Sequence, residues 1–180
     1  MEDNILFYEF NLNKLVFQKK RKTYFIYEFD NFKSRNIKFK SVRMHIPFGV
    51  ENYNSKFILN LEFYDYDKNN YTYNQINEIK NLELYFKDLL YKKISLSLKE
   101  DLENKTFCSS IKERKNSFLL RTHLKVQKKN IISEFKKKDK FIELNSLKNS
   151  YGQFQIELKS LWISKDQYGL VWVIKQGEII

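Results

Sequence analysis

The alternation in Phe57-Ile58-Leu59-Asn60-Leu61-Glu62-Phe63 marks a strand. Leu59, Leu61 and Phe63 fall on one face and Asn60 and Glu62 on the other, the period of two of a half-buried sheet element. Upstream, Ile37-Lys38-Phe39-Lys40 alternates apolar and basic residues and runs on through Val42-Arg43-Met44-His45-Ile46. Pro47-Phe48-Gly49 then breaks that strand, because proline lacks a ladder donor and glycine tolerates positive φ. Further upstream, Ile5 to Phe10 and Thr23 to Phe29 are dense in aromatic and β-branched residues, which makes the first third of the chain extended. Lys19-Lys20-Arg21-Lys22 reads as a basic turn between them.

Downstream, Tyr64 to Asn70 is a polar loop. The period then changes: Ile76, Ile79, Leu82, Phe86, Leu89 and Leu90 recur at steps of three and four, which predicts an amphipathic helix over about 73–91. A second short helix is weakly indicated around Ser97 to Glu103. Strands return at Phe107 to Lys112 and Leu119 to Val126, followed by a very basic segment with Lys136-Lys137-Lys138 that reads as mobile. The C-terminal part is a hairpin. Phe154, Ile156 and Leu158 alternate, Ser164 to Gly169 is turn-rich, and Leu170 to Ile174 is apolar on both faces, so Trp172 belongs to the core.

The expected fold is therefore mainly β: an OB-fold-like barrel with an inserted amphipathic helix and an extended N-terminal β region. Residues 1–180 read as a single OB-fold-like domain, with 1–36 an N-terminal β extension of unknown role.

The chain has 180 residues, 42% hydrophobic and 17% aromatic, enough for a core and against intrinsic disorder. No apolar run approaches the roughly 18 residues of a membrane span. The acidic start Met1-Glu2-Asp3-Asn4 lacks a secretory n-region. The lone Cys108 reads as a small core residue in a reducing compartment, the cytoplasm. The formal net charge is +11, a field that attracts polyanions, nucleic acid first and an acidic membrane surface second. There is no alanine and much Lys, Asn, Ile, Phe and Tyr. An AT-rich gene favours that composition, so codon bias competes with ligand binding as the cause of the charge.

Little in the sequence points to catalysis. His45 and His123 read as structural or ligand-facing rather than as general bases, and they lack the spacing of a two-His metal site. Asp65 and Asp67, two apart, could hold Mg²⁺ in a small nuclease, but Asn69-Asn70 beside them favour a solvated loop. Phosphate-cradling glycine motifs are absent. The expectation is a protein without enzymatic activity and without a cofactor.

What is present is basic residues interleaved with aromatics. Cations neutralise phosphates along a groove while aromatic faces stack on unpaired bases. Three segments carry the mixture: Lys38, Lys40 and Arg43 with Phe39; Lys112, Arg114, Arg121 and Lys125 with Phe118; and Trp162, Tyr168 and Trp172 with Lys165 and Lys175.

Pro47-Phe48-Gly49, then Leu59, Leu61 and Phe63, then Lys112, Arg121 and Leu124, then Gly169, Trp172 and Gln176 occur in the order of a known pattern. In these segments, roughly a third of the chain, it resembles the oligonucleotide-fold single-stranded-DNA-binding proteins of large nucleocytoplasmic DNA viruses. Related proteins of linear DNA plasmids in yeast cytoplasm are similar too. Asn116 to Leu120 lacks the proline often found there, His123 stands where a basic residue is expected, and residues 1–36 match nothing in the pattern. The acidic tail of phage members of the wider class is also missing, since Lys175 to Ile180 holds one acid.

The resemblance implies a protein that coats and protects single-stranded DNA during replication of a viral or plasmid genome. Lys112 and Arg121 would lie on the phosphate path, joined by Lys38, Lys40, Arg43, Arg114 and Lys125, with Trp162 and Tyr168 as stacking residues. Replication proteins and a second copy of the chain are further candidate partners; a membrane is not. The competing readings are a duplex- or terminal-repeat-binding factor, an accessory subunit of a replication or transcription complex, and the Asp65/Asp67 nuclease.

Overall fold

The computed structural model describes residues 15–20, 23–30, 33–53, 56–64, 70–92, 102 and 104–180. The first strands are β1 (Leu15–Lys20), β2 (Thr23–Asp30), β3 (Lys33–Arg35), β4 (Ile37–Lys40), β5 (Met44–Ile46), β6 (Val50–Tyr53) and β7 (Lys56–Phe63). Helix α1 (Asn70–Lys92) follows. After it come β8 (Thr106–Cys108), β9 (Ile111–Arg114), β10 (Ser117–Leu124), β11 (Val126–Gln127), β12 (Asn130–Ile131), β13 (Glu134–Lys137), β14 (Lys140–Phe141), β15 (Ser150–Ile163) and β16 (Gln167–Ile179).

Five of these close a barrel in the order β5-β7-β10-β16-β15 and back to β5. Only β10–β16 is parallel within the ring; the other four contacts are antiparallel. Closure removes the exposed edges that a flat sheet would leave. This is the expected OB-like barrel with a helix inserted between its second and third ring strands.

Alternation determines what fills it. Leu59, Leu61 and Phe63 of β7, Leu120 and Thr122 of β10, and Trp172 and Ile174 of β16 have no exposed surface. The Trp172 ring meets Phe39 edge to face at 5.6 Å, and its indole N–H donates to Ser110 Oγ at 2.9 Å. Burying each large side chain contributes about 1.5–3 kcal/mol, and the satisfied indole avoids the cost of an orphan donor.

Helix α1 buries Ile76, Ile79, Leu82 and Phe86. Two buried polar side chains fix its position. Gln75 accepts from the Val42 N–H at 2.8 Å and donates to the Lys40 carbonyl at 3.1 Å, clamping the β4–β5 junction. Glu83 accepts from the Ser110 N–H at 2.8 Å, from Ser110 Oγ at 2.6 Å and from Ser109 Oγ. The hairpin β1–β2 packs its Phe17 edge to face on Phe86 of this helix, at 6.3 Å. It joins the barrel where β2 pairs with β15, Phe25 opposite Ser160 and Tyr24 opposite Leu161.

Several expectations are corrected. Lys19 and Lys20 lie in β1 rather than in a turn. A strand, β6, follows Pro47-Phe48-Gly49, because Gly49 at φ +74° redirects the chain along β7. The Phe107 to Lys112 strand is split at Ser109-Ser110 into β8 and β9. Lys136 to Lys138 is a built hairpin, β13–β14, whose turn residues Lys138 and Asp139 both take positive φ, as a tight two-residue turn requires. The strand expected at Ile5 to Phe10, the Asp65 and Asp67 pair, and the second helix expected around Ser97 to Glu103, apart from Leu102, lie outside the described residues. Among the described residues, no helix is long and apolar enough to cross a membrane.

Candidate nucleic-acid interface

The site is built on the outer faces of β7, β10, β15 and β16. Because Leu120, Thr122 and Leu124 point inward, Arg121 and His123 point outward. Register places Arg121 beside Asn60 and His123 beside Ile58 on one side, and His123 beside Val173 on the other. Two adjoining cavities lie over this face. One, of about 310 Å³, is bordered by Tyr53 and Lys56 at the β6–β7 turn, by Arg121 and His123, and by Trp162 and Gln167 at the β15–β16 end. The other, of about 340 Å³, lies beyond Lys56, His123 and Trp162, which border both, and reaches Lys159 and Phe25. They form one groove, bracketed by the two hairpin ends that serve ligand binding in this fold class.

Among the described residues that border the groove, Lys56, Arg121 and Lys159 are cationic and none is a carboxylate. His123 reports the resulting field. Burial, and then the charges of Arg121, Lys56 and Lys159, push its pKa down to about 4, so the imidazole is neutral at pH 7. Trp162 lies over Gly169, where a Cβ would come within 2.8 Å of the indole nitrogen. Glycine at that position therefore lets the half-buried ring lie flat on the strand beside the groove.

A second aromatic and basic surface occupies the same outer face nearer β5. Glu62 takes His45 Nδ1 at 2.8 Å, accepts from Ser117 Oγ at 2.7 Å and lies 3.9 Å from Arg114. Burial opposes ionisation of Glu62, but the hydrogen bonds of His45 and Ser117 and the charges of His45 and Arg114 outweigh it and hold its carboxyl below the usual range. The Arg114 guanidinium sits 5.0 Å from the Phe48 ring, and Arg43 sits 5.2 Å from Tyr151. Tyr151 in turn stacks on His45 at 4.7 Å.

Of the residues expected from sequence, Arg121 and Trp162 meet in the groove. Arg43 and Arg114 belong to the Glu62 cluster. Lys112 is exposed on β9 opposite Leu119, between the levels of Arg121 and Arg114. Lys38 and Lys40 lie on β4 opposite Glu157 and Gln155 and border neither cavity. Lys125 is half-buried just past β10, its N–H bonded to Ser133 Oγ at 2.7 Å, and borders neither cavity. Tyr168 is a correction. It is 1% exposed, packed edge to face on Phe107 at 5.4 Å beneath the parallel β8–β16 contact, and cannot offer a face to a base. Cys108 is also corrected, from core to a half-buried residue that borders the groove.

Sequence reasoning missed Tyr53, Lys56, Phe25 and Lys159, which come together only through cross-strand register. The sequence leaves His123 as either structural or ligand-facing, and the outward phase of β10 ranks it with Arg121.

Among the described residues, no group of three or more His, Cys, Asp or Glu side chains could hold a metal ion. No protein-family model matches the chain, and no curated protein matches it.

Proposed function

We propose that the protein binds single-stranded DNA along this groove and coats the strand, without catalysing a reaction on it. The observation that carries the reading is the conjunction of Lys56, Arg121 and Lys159, with no carboxylate among the described bordering residues, and the rings of Tyr53 and Trp162. Phosphates pair with the cations, and unpaired bases stack at about 1–3 kcal/mol each without regard to sequence. The site is concave and its aromatic rings are useful only to bases that are not already stacked in a duplex. The segment resemblance extends the reading to replication of a viral or plasmid genome, with the strand protected while it is displaced.

Titration of labelled thirty-residue oligothymidylate and of a duplex of equal length across a salt series tests this. The reading expects single-strand preference, with affinity falling steeply as salt rises. Equal or tighter binding of the duplex would favour the duplex-binding factor instead.

A further inference from the structure

The hairpin β1–β2 lies outside the barrel ring, yet it walls one half of the groove. Phe25 stands opposite Ser160 on β15, and Ser160 stands opposite Val171 on β16. The three side chains therefore form one row that lines the 340 Å³ cavity, with Phe25 at its hairpin side. Its volume sits at the low end of the range of about 300–1,000 Å³ typical of small-ligand sites. The walls are largely apolar, with rings from Phe25 and Trp162. Thr23 and Ser160 add hydroxyls that can donate or accept. Lys56 and Lys159, both exposed, stand at the rim. A ligand with a flat aromatic body, polar edges and an anion on its flank complements each of these features, whereas a cationic or wholly aliphatic one leaves the lysines unanswered.

We infer that this half of the groove is a pocket for one unpaired nucleobase, formed only because the β1–β2 hairpin supplies Phe25 and Thr23 as a wall, with Lys56 and Lys159 holding the flanking phosphates. The inference rests on the single-strand reading and gives strands β1 and β2 their role: they turn an open barrel face into a site that grips one base of the strand. Any base would enter by shape and stacking, and the Thr23, Ser160 and His123 side chains would grade the preference among bases.

The test uses the full chain with thymidine 5′-monophosphate, with inorganic phosphate as the control for phosphate capture alone. Amide resonances are followed by NMR, and Trp162 fluorescence is followed in parallel, with buried Trp172 as the constant background. The mononucleotide is expected to shift the resonances of Thr23, Phe25 and Ser160 and to quench Trp162, whereas phosphate shifts only those near Lys56 and Lys159. Phe25→Ala is expected to weaken the mononucleotide about tenfold while long oligothymidylate at low salt loses no more than about threefold, because the cations remain. Identical responses to mononucleotide and phosphate in the wild-type protein would overturn the pocket without reference to any variant. Equal mononucleotide affinity in wild type and Phe25→Ala would overturn it as well. Failure of the wild-type protein to bind long oligothymidylate, with the mononucleotide shifts intact, would instead strike the coating function and leave the pocket standing.

Discussion

The groove over β10 and the cluster around Glu62 share one outer barrel face and one kind of residue, yet they differ in what the cations touch. In the cluster, Arg114 has a carboxylate at 3.9 Å and the Phe48 ring at 5.0 Å, and Arg43 has Tyr151 at 5.2 Å. In the groove, Lys56, Arg121 and Lys159 act together on the neutral His123 imidazole, with no acid among the described bordering residues. A balanced cation is already solvated by its partner and gains little from a phosphate. An unbalanced one gains the full attraction and also releases counterions. The lesson is that positive charge marks a polyanion site where it is uncompensated, not simply where it is dense.

The largest expected effect separates the two regions directly. Replacing Lys56, Arg121 and Lys159 together by Ala should lower affinity for oligothymidylate about 100-fold at low salt and flatten the logarithmic salt slope by about 2. Replacing Arg43 and Arg114 by Ala should cost no more than about threefold. Comparable losses in both variants, measured by anisotropy titration, would erase the distinction.

A second contrast is in pH. The folded-state pKa of His123, about 4, lies below its ordinary 6.5, so the unfolded chain binds the extra proton between those values. Stability therefore falls as pH drops through 6.5, by about 2 kcal/mol between pH 7 and pH 5. The Glu62 contribution has a different window. Its pKa is held below 4.5, so its stabilisation is present above 4.5 and lost as pH falls through the folded value. Urea denaturation of the wild type and His123→Gln at pH 7 and pH 5 checks this. Removal of most of the pH 7-to-5 decline in the variant is expected, and an unchanged decline would place the titrating group elsewhere.

Smaller effects follow. Trp162→Ala should weaken oligothymidylate binding about tenfold, more than Phe25→Ala because the Trp162 ring borders both halves of the groove, while leaving the salt slope unchanged in a titration at several ionic strengths. Glu62→Gln should cost about 1 kcal/mol of stability, through weaker bonds to His45 and Ser117. It should raise affinity only about twofold, because a negative charge leaves the edge of the path.

These regions also differ in how far the chain announces them. The barrel was legible where one face is buried: Leu59, Leu61 and Phe63 alternate cleanly, as do Ile37 with Phe39, and Ile76 to Phe86 keep helical spacing. Strand β6 was not, because Val-Glu-Asn-Tyr has little apolar alternation and is held by pairing to β7. Tyr168 read as exposed because its cover comes from β8 in a parallel contact, joining residues 61 positions apart at Phe107. The groove was half legible. Arg121 and Trp162 stand out locally, but Phe25 and Lys159 become neighbours of His123 only through the order β2-β15-β16-β10, which no local pattern contains.

Cys108 offers the most direct test of where the strand lies, since it is the chain's single cysteine and borders the groove. The rate of its modification by a thiol reagent is measured with saturating thirty-residue oligothymidylate, with duplex of the same length and with neither. About tenfold protection by the single strand and little by the duplex are expected. Unchanged modification while the oligonucleotide is demonstrably bound would put the strand on another surface and contradict the account.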